Sequence, residues 1–395
     1  MEEEKWVSSP FNMSYFRTCT TEELKPYKPI IHDATLRSGE YTYNRPFSIE
    51  EKILIAKKLD EIGIHMIESG SPAVSDEEKE AAKALLSQHL KAQISCSVRL
   101  MKEDIGAAIA CGLKNAVMAV SLHPNGMKTM RLSKEALLKR VRECVEYGTG
   151  NGVQMIVGIT NPGWTEMDFI KEYAEVAIKA GAERIRISDP IGSFNMFGVI
   201  YLLRELKKVI GGERLAVRFH NWFGLATANT LAAYTEGVRE LSANALGLGD
   251  RSGSTSLEEV LLSLLVFFNC DLGFQYDKLY SLSELIQNIV GSRINTLKPI
   301  VGDNCFNLVA GSQVNLAKDD IFSIAPFLPE VVGQKLRVSL GAFSGAASVK
   351  AKLKEIGVTV EESKIPSIVQ KVKELAYRKR GEVDLEEFKQ IISTV

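Results

Sequence analysis

The chain has 395 residues, of which 45% are hydrophobic and 25% charged, and its net charge is −1. That is the composition of a globular protein with a large core, and it excludes a disordered chain and a small disulfide scaffold. No long basic run stands out, so neither a nucleic-acid partner nor a membrane partner is expected.

From residue 29 onward, short apolar runs alternate with longer amphipathic stretches. Strands are predicted at 30–35, 65–68, 93–98, 116–121, 154–159, 184–188, 215–219 and 243–248. A helix is predicted over 50–62 behind the N-cap Ser48, and another over 133–147 behind Ser133, with Gly152 past its end. Residues 260–268 form the longest apolar run, too short to span a bilayer and read as a buried helix. Eight strands, each followed by a helix, fit a parallel sheet with right-handed crossovers, closed as a (β/α)8 TIM barrel. The open doubly wound alternative needs a glycine-rich phosphate loop after strand one, and Leu36-Arg37-Ser38-Gly39-Glu40 is a poor one.

The expected organisation is a lead-in over 1–28, a barrel over 29–275 and a helical C-terminal extension over 276–395. In the extension, helices are predicted at 282–290, 363–378 and 384–392, with a loop-like stretch at 298–314. The basic helix 363–378 reads as a solvated face. Cys19, Cys96, Cys111, Cys144, Cys270 and Cys305 form no C-x-x-C pair. They read as buried thiols, Cys96 and Cys305 as core residues, in a reducing compartment. The acidic start at residues 1–5 lacks a signal-like apolar stretch, so a cytoplasmic location is expected.

In a TIM barrel, functional side chains gather at the C-terminal ends of the strands. Here those ends supply Arg37, Glu40, Glu68, Thr160, Asn161, Asp189, Arg218, His220, Asp250 and Arg251. Alternation along a strand puts Arg218 on the face of His220, one layer below it, and pairs Arg186 with Ser188 in the same way. Arg37, Arg186 and Arg218 would make a cationic pocket suited to a carboxylic acid.

At these residues the chain resembles the homocitrate synthase and isopropylmalate synthase family, within the DRE-TIM metallolyase superfamily. His32-Asp33-Ala34-Thr35-Leu36-Arg37-Ser38-Gly39-Glu40 resembles the family's D-T-T-L-R-D-G-E. Ile67-Glu68-Ser69-Gly70-Ser71-Pro72 is similar to I-E-A-G-F-P, and Ile187-Ser188-Asp189-Pro190-Ile191-Gly192 to I-P-D-T-V-G. His220-Asn221-Trp222-Phe223-Gly224-Leu225-Ala226 resembles the second half of H-C-H-N-D-L-G-L-A. Gly247-Leu248-Gly249-Asp250-Arg251-Ser252-Gly253-Ser254 resembles G-I-G-E-R-A-G-N. Two later segments, 298–302 and 340–345, resemble motifs of the family's C-terminal region. Seven matches in order carry the resemblance. It implies a TIM barrel, a homodimer, and carbon–carbon bond chemistry between a 2-oxo acid and an acyl-CoA, or the related cleavage, with a divalent metal holding the 2-oxo acid.

Residue by residue, that metal site is degenerate. The ligand acid after Arg37 is Ser38, the first histidine of His-x-His is Arg218, and the asparagine of the last motif is Ser254. His220 alone remains. One imidazole and two hydroxyls fall short of what a divalent cation needs. A guanidinium about 4 Å away would repel a dication by roughly 8 kcal/mol at an effective dielectric of about 20. No metal is therefore expected, and no other cofactor, while an acyl-CoA co-substrate stays open. The family's carboxylate-binding threonine is Pro190, its strand-five acid is Thr160, and its C-terminal-region histidine is Gln313.

The resulting expectation is a metal-independent lyase or acyltransferase that makes or breaks a carbon–carbon bond, or decarboxylates, on a small 2-oxo or dicarboxylic acid. His220, Glu68 and Arg37 are the expected catalytic residues. Arg37, Arg218, Arg186, Glu40, Ser38, Thr160, Trp222 and Arg251 are the expected substrate contacts, with Trp164 and Trp222 as pocket walls. Two alternatives stay open: an acyl-CoA-dependent 2-oxo-acid synthase with a rebuilt site, and a non-catalytic ligand-binding or regulatory protein. For Arg218, a purely structural pairing with Asp33 or Glu68 stands beside the substrate role.

Overall fold

A computed structural model describes residues 5–13 and 27–395. Cys19 and most of the lead-in lie outside the described residues. Two compact units form, Phe11–Arg293 and, separately, the residues up to Pro10 with Ile294–Val395.

The first unit is a closed, all-parallel barrel of eight strands in sequence order. They are β1 (Ile30–Asp33), β2 (Met66–Glu68), β3 (Gln93–Val98), β4 (Asn115–Ser121), β5 (Gln154–Thr160), β6 (Arg184–Asp189), β7 (Leu215–Phe219) and β8 (Glu240–Ala243). The register Ile30↔Glu240 to Asp33↔Ala243 closes β1 on β8. The strands are near-continuous apolar runs because helices cover their outer faces. The helix Ile49–Ile62 starts where Ser48 predicts it: the Ser48 hydroxyl accepts from Glu51 N at 3.2 Å and the Glu51 carboxylate accepts from Ser48 N at 2.8 Å. Ser133 likewise caps Lys134–Gly150, which runs three residues further than its pattern suggests. The apolar run at 260–268 lies in the helix Leu257–Phe268, most of it buried. Among the described residues no helix is long and apolar enough to cross a membrane.

Two expectations are corrected. Strand eight lies at Glu240–Ala243 rather than 243–248. A fully buried glutamate at its first position broke the apolar pattern, and Leu246, at φ 59°, stands in a 3-10 turn that cannot be strand. The chain also turns earlier after β1 than expected. Asp33 accepts from Thr35 N at 2.8 Å and Thr35 Oγ1 at 2.9 Å, and Thr35–Tyr43 becomes a helix. Arg37, Ser38 and Glu40 are therefore helical residues, one turn and more beyond the strand end.

In the second unit, Trp6 bridges Phe327, and Asn307–Leu308 pairs with Arg337–Val338 in a two-stranded parallel sheet. Its core gathers Val349, Leu353, Ile368, Val372, Phe388 and neighbours from the helices Ala346–Glu355, Ile365–Lys379 and Leu385–Ser393. The helix Leu279–Val290 belongs to the barrel unit. Cys96 is buried as expected, but Cys305 is exposed, in a turn where its thiol contacts Lys298 O at 3.1 Å.

Candidate active site

Strand alternation carries two arginines of neighbouring strands inward, Arg186 on β6 and Arg218 on β7. They are 1% and 7% exposed. Glu68, the last residue of β2, is fully buried between them. Arg37 Nε stands 2.5 Å from Glu68 Oε1, Arg218 Nη1 3.6 Å from Oε2, and Arg186 Nη1 3.9 Å from Oε2. Burial alone would raise the Glu68 pKa, but Arg37, Arg218 and Arg186 outweigh it and bring it to about 2. Glu68 is thus ionised throughout the neutral range and anchors three guanidiniums; as a proton carrier it is poorly placed.

Arg218 Nη2 donates to Ser38 Oγ. The guanidinium sits against one of the hydroxyls that replace metal ligands in the resemblance. Burial and the nearby Arg37 lower the Arg218 pKa to about 10, still charged at neutral pH. His220, next along the face, is 8% exposed, and a backbone bridge ties it to Ser254. Its Nδ1 lies 3.4 Å from Asp250 Oδ1. Burial and Arg218 lower its pKa to about 4, so the imidazole is neutral at pH 7. Burial pushes Asp33 up to about 7, against hydrogen bonds from Thr35 and Ala245.

Arg218 Nη1, His220 Nδ1 and Ser254 Oγ are buried without hydrogen-bond partners. Buried polar atoms left open this way are costly, and each calls for an explanation, whether an ordered water, an ion or a ligand. Two hydroxyls, one imidazole and a fixed cation do not suit a divalent metal. Among the described residues no group of three or more His, Cys, Asp or Glu side chains could hold one.

Other expected contacts fall elsewhere. Arg186 is taken by Glu240, the first residue of β8, and stands 2.5 Å from His32 Nδ1. Glu240 also binds His32 Nδ1 at 2.9 Å and Arg184 Nε at 2.8 Å. Arg186 thereby belongs to a charge network inside the barrel rather than to an open anion seat. Glu40 accepts from Phe47 N at 3.0 Å and pairs with Lys52 at 3.2 Å. Thr160 ends β5 beside Ser188 of β6, half-buried. Trp222 is 48% exposed and donates to Pro190 O at 3.4 Å; Trp164 is 50% exposed. Arg251 clamps a loop, bonding Asp250 and, at 2.7 Å, Pro190 O. The site residues that sequence reasoning missed are Glu240 and His32. Charged residues at inward strand positions were the available signal.

Gly253 shapes the β8 loop. Its φ is +82° and an added Cβ would meet Gly247 O at 2.4 Å. Gly253→Ala is expected to cost about 1–3 kcal/mol, read as a lower urea midpoint at unchanged slope.

The HMGL-like family profile matches residues 28–286. A protein named homocitrate synthase AksA, from Methanothermobacter thermautotrophicus, is 35% identical over 394 residues, covering 99% of this chain and 98% of that one. A 2-isopropylmalate synthase of Methanocaldococcus jannaschii is 35% identical over 355 residues, covering 89% of this chain and 68% of that one. The crystal structure of a hydroxymethylglutaryl-CoA lyase from Pseudomonas aeruginosa shares the fold, with a TM-score of 0.60 at 21% identity over 68% of this chain and 94% of that one. The resemblance carried by the seven motifs holds: with its closed eight-stranded barrel and synthase relatives, the chain belongs to the HMGL-like family of DRE-TIM barrels.

Proposed function

We propose that this protein is a metal-independent member of its family that binds a small 2-oxo or dicarboxylic acid and makes or breaks a carbon–carbon bond beside its carbonyl. The carrying observation is Arg218. Its guanidinium rests on Ser38 through Nη2 and leaves Nη1 buried without a hydrogen bond, 3.6 Å from Glu68 Oε2. A preorganised cation in a dry site is suited to a carboxylate or to the negative oxygen of an enolate. Arg37, partly exposed and held by Glu68, supplies the outer charge. His220, neutral at pH 7, moves the proton.

Synthase relatives of nearly full coverage favour a second reading, an acyl-CoA-dependent condensation. Against it stands Gln313, where the resemblance implies a catalytic histidine: its Oε1 accepts from Val309 N and Ala310 N and caps a helix. With the proposal goes the homodimer that the resemblance implies, which sedimentation equilibrium checks.

Thermal unfolding of EDTA-treated protein tests the reading against 2-oxo acids, dicarboxylates and acyl-CoAs, with and without magnesium, manganese or zinc. A carboxylate at about 100 times its Kd should stabilise the metal-free protein by about 2.7 kcal/mol. A triple variant, Ser38→Asp with Arg218→His and Ser254→Asn, should gain divalent-cation binding by calorimetry. Stoichiometric binding of equal strength by the wild type would sink metal independence, and no response to any carboxylate would move the protein to the non-catalytic class.

A further inference from the structure

The loop after β8 is hydrogen-bonded over the end of β7. Asn221 N donates to Gly253 O at 3.0 Å, Thr255 N donates to Phe219 O at 3.1 Å, and His220 bridges Ser254. Arg251 stands in the left-handed region at φ 59°. Strain at a non-glycine residue persists only where the surroundings over-determine it, and it concentrates in functional loops. Arg251 spans from Asp250 to Pro190 O, the latter just beyond β6. Asp250 is thereby fixed with one oxygen on Arg251 and the other 3.4 Å from His220 Nδ1.

We infer that Asp250 is a positioning residue for His220, holding the imidazole in the tautomer that carries its proton on Nδ1 and leaves Nε2 to take a proton from the carbon beside the substrate carbonyl. Which ring nitrogen carries the proton is set by the partner of the other. A carboxylate facing Nδ1 both orients the ring and stabilises the imidazolium formed during transfer. The 3.4 Å separation is not aligned as a hydrogen bond. Such contacts commonly tighten only when substrate is bound. Four charged groups bear on the imidazole: Arg218, Asp250, Arg251 and Arg37.

In the step itself, the substrate C–H bond breaks and an N–H bond forms at Nε2. The electron pair moves toward the carbonyl to give an enolate, whose oxygen charge Arg218 offsets. The proton later returns to carbon or exchanges with water. No oxidant, reductant or further reactant is needed.

This inference rests on the carboxylate-site reading, and its test separates the two. EDTA-treated full-length protein is incubated in D2O with pyruvate, 2-oxobutyrate and 2-oxoglutarate, and loss of the C3 proton signal is followed by NMR. The wild type should bind at least one of these acids and exchange its C3 protons. Asp250→Asn should slow that exchange by about tenfold or more while leaving Kd by calorimetry unchanged, and Asp250→Glu should restore most of the rate. Exchange by Asp250→Asn at the wild-type rate overturns the inference, as does an equal loss of exchange and binding. A wild type that binds an acid without exchanging it overturns the inference but leaves the carboxylate site standing. No binding of any of the three acids overturns both.

Discussion

Arg218→Met leaves the barrel folded and weakens carboxylate binding by about tenfold or more. Methionine approximates the arginine stem in volume, and Glu68 keeps Arg37 at 2.5 Å and Arg186 at 3.9 Å. The buried carboxylate therefore stays compensated, which is the condition under which a member of a charge cluster can be replaced without collapse. What is lost is the charge-assisted bond from Nη1 to the ligand, about 1.5–3 kcal/mol, or about tenfold to more than a hundredfold in Kd. Calorimetric titration of the responding carboxylate into wild type and variant measures this directly. Equal affinities would return Arg218 to a purely structural role. Arg218→Lys should recover little, because one ammonium cannot reach Ser38, Glu68 and a ligand in the geometry of a planar fork.

Glu68→Gln has the opposite character and strikes stability first. Its fully buried carboxylate is the shared partner of three guanidiniums, and removing it leaves Arg37, Arg186 and Arg218 facing one another. Breaking such a cluster costs about 3–5 kcal/mol, visible as a lower denaturant midpoint at pH 7. The pH dependence follows from the depressed pKa, 4.5 falling to about 2 on folding. A depressed carboxylate contributes its full stability above the unfolded value and loses it as pH falls through the folded one. The Glu68 contribution is thus complete above about pH 4.5 and disappears toward pH 2. His32 and His220 act earlier in the same direction. Their pKa values are lowered on folding, so acid below 6.5 favours the unfolded chain. Asp33, raised from 3.8 to about 7, opposes them between those values. In a urea series from pH 7 to pH 2, the wild type should lose stability most steeply below pH 4.5, and Glu68→Gln should flatten that lowest limb. An unchanged limb would assign acid lability to other carboxylates, Glu240 first among them.

The chain's own order of residues determined the barrel, most of its strands, the caps at Ser48 and Ser133, and the order of the motifs that carry the family resemblance. These are legible because strand and helix periods, capping and motif order are local, read within one element or its neighbour. The tertiary structure alone decided which charges meet. Arg186 is lost to Glu240, 54 residues away in sequence, and Arg218 reaches Ser38 across 180. It also moved strand eight onto a buried glutamate, turned Glu40 toward Lys52 and brought Asp250 to His220. Alternation says which way a side chain points, but an ion pair's partner depends on barrel closure and stagger, which no local pattern records.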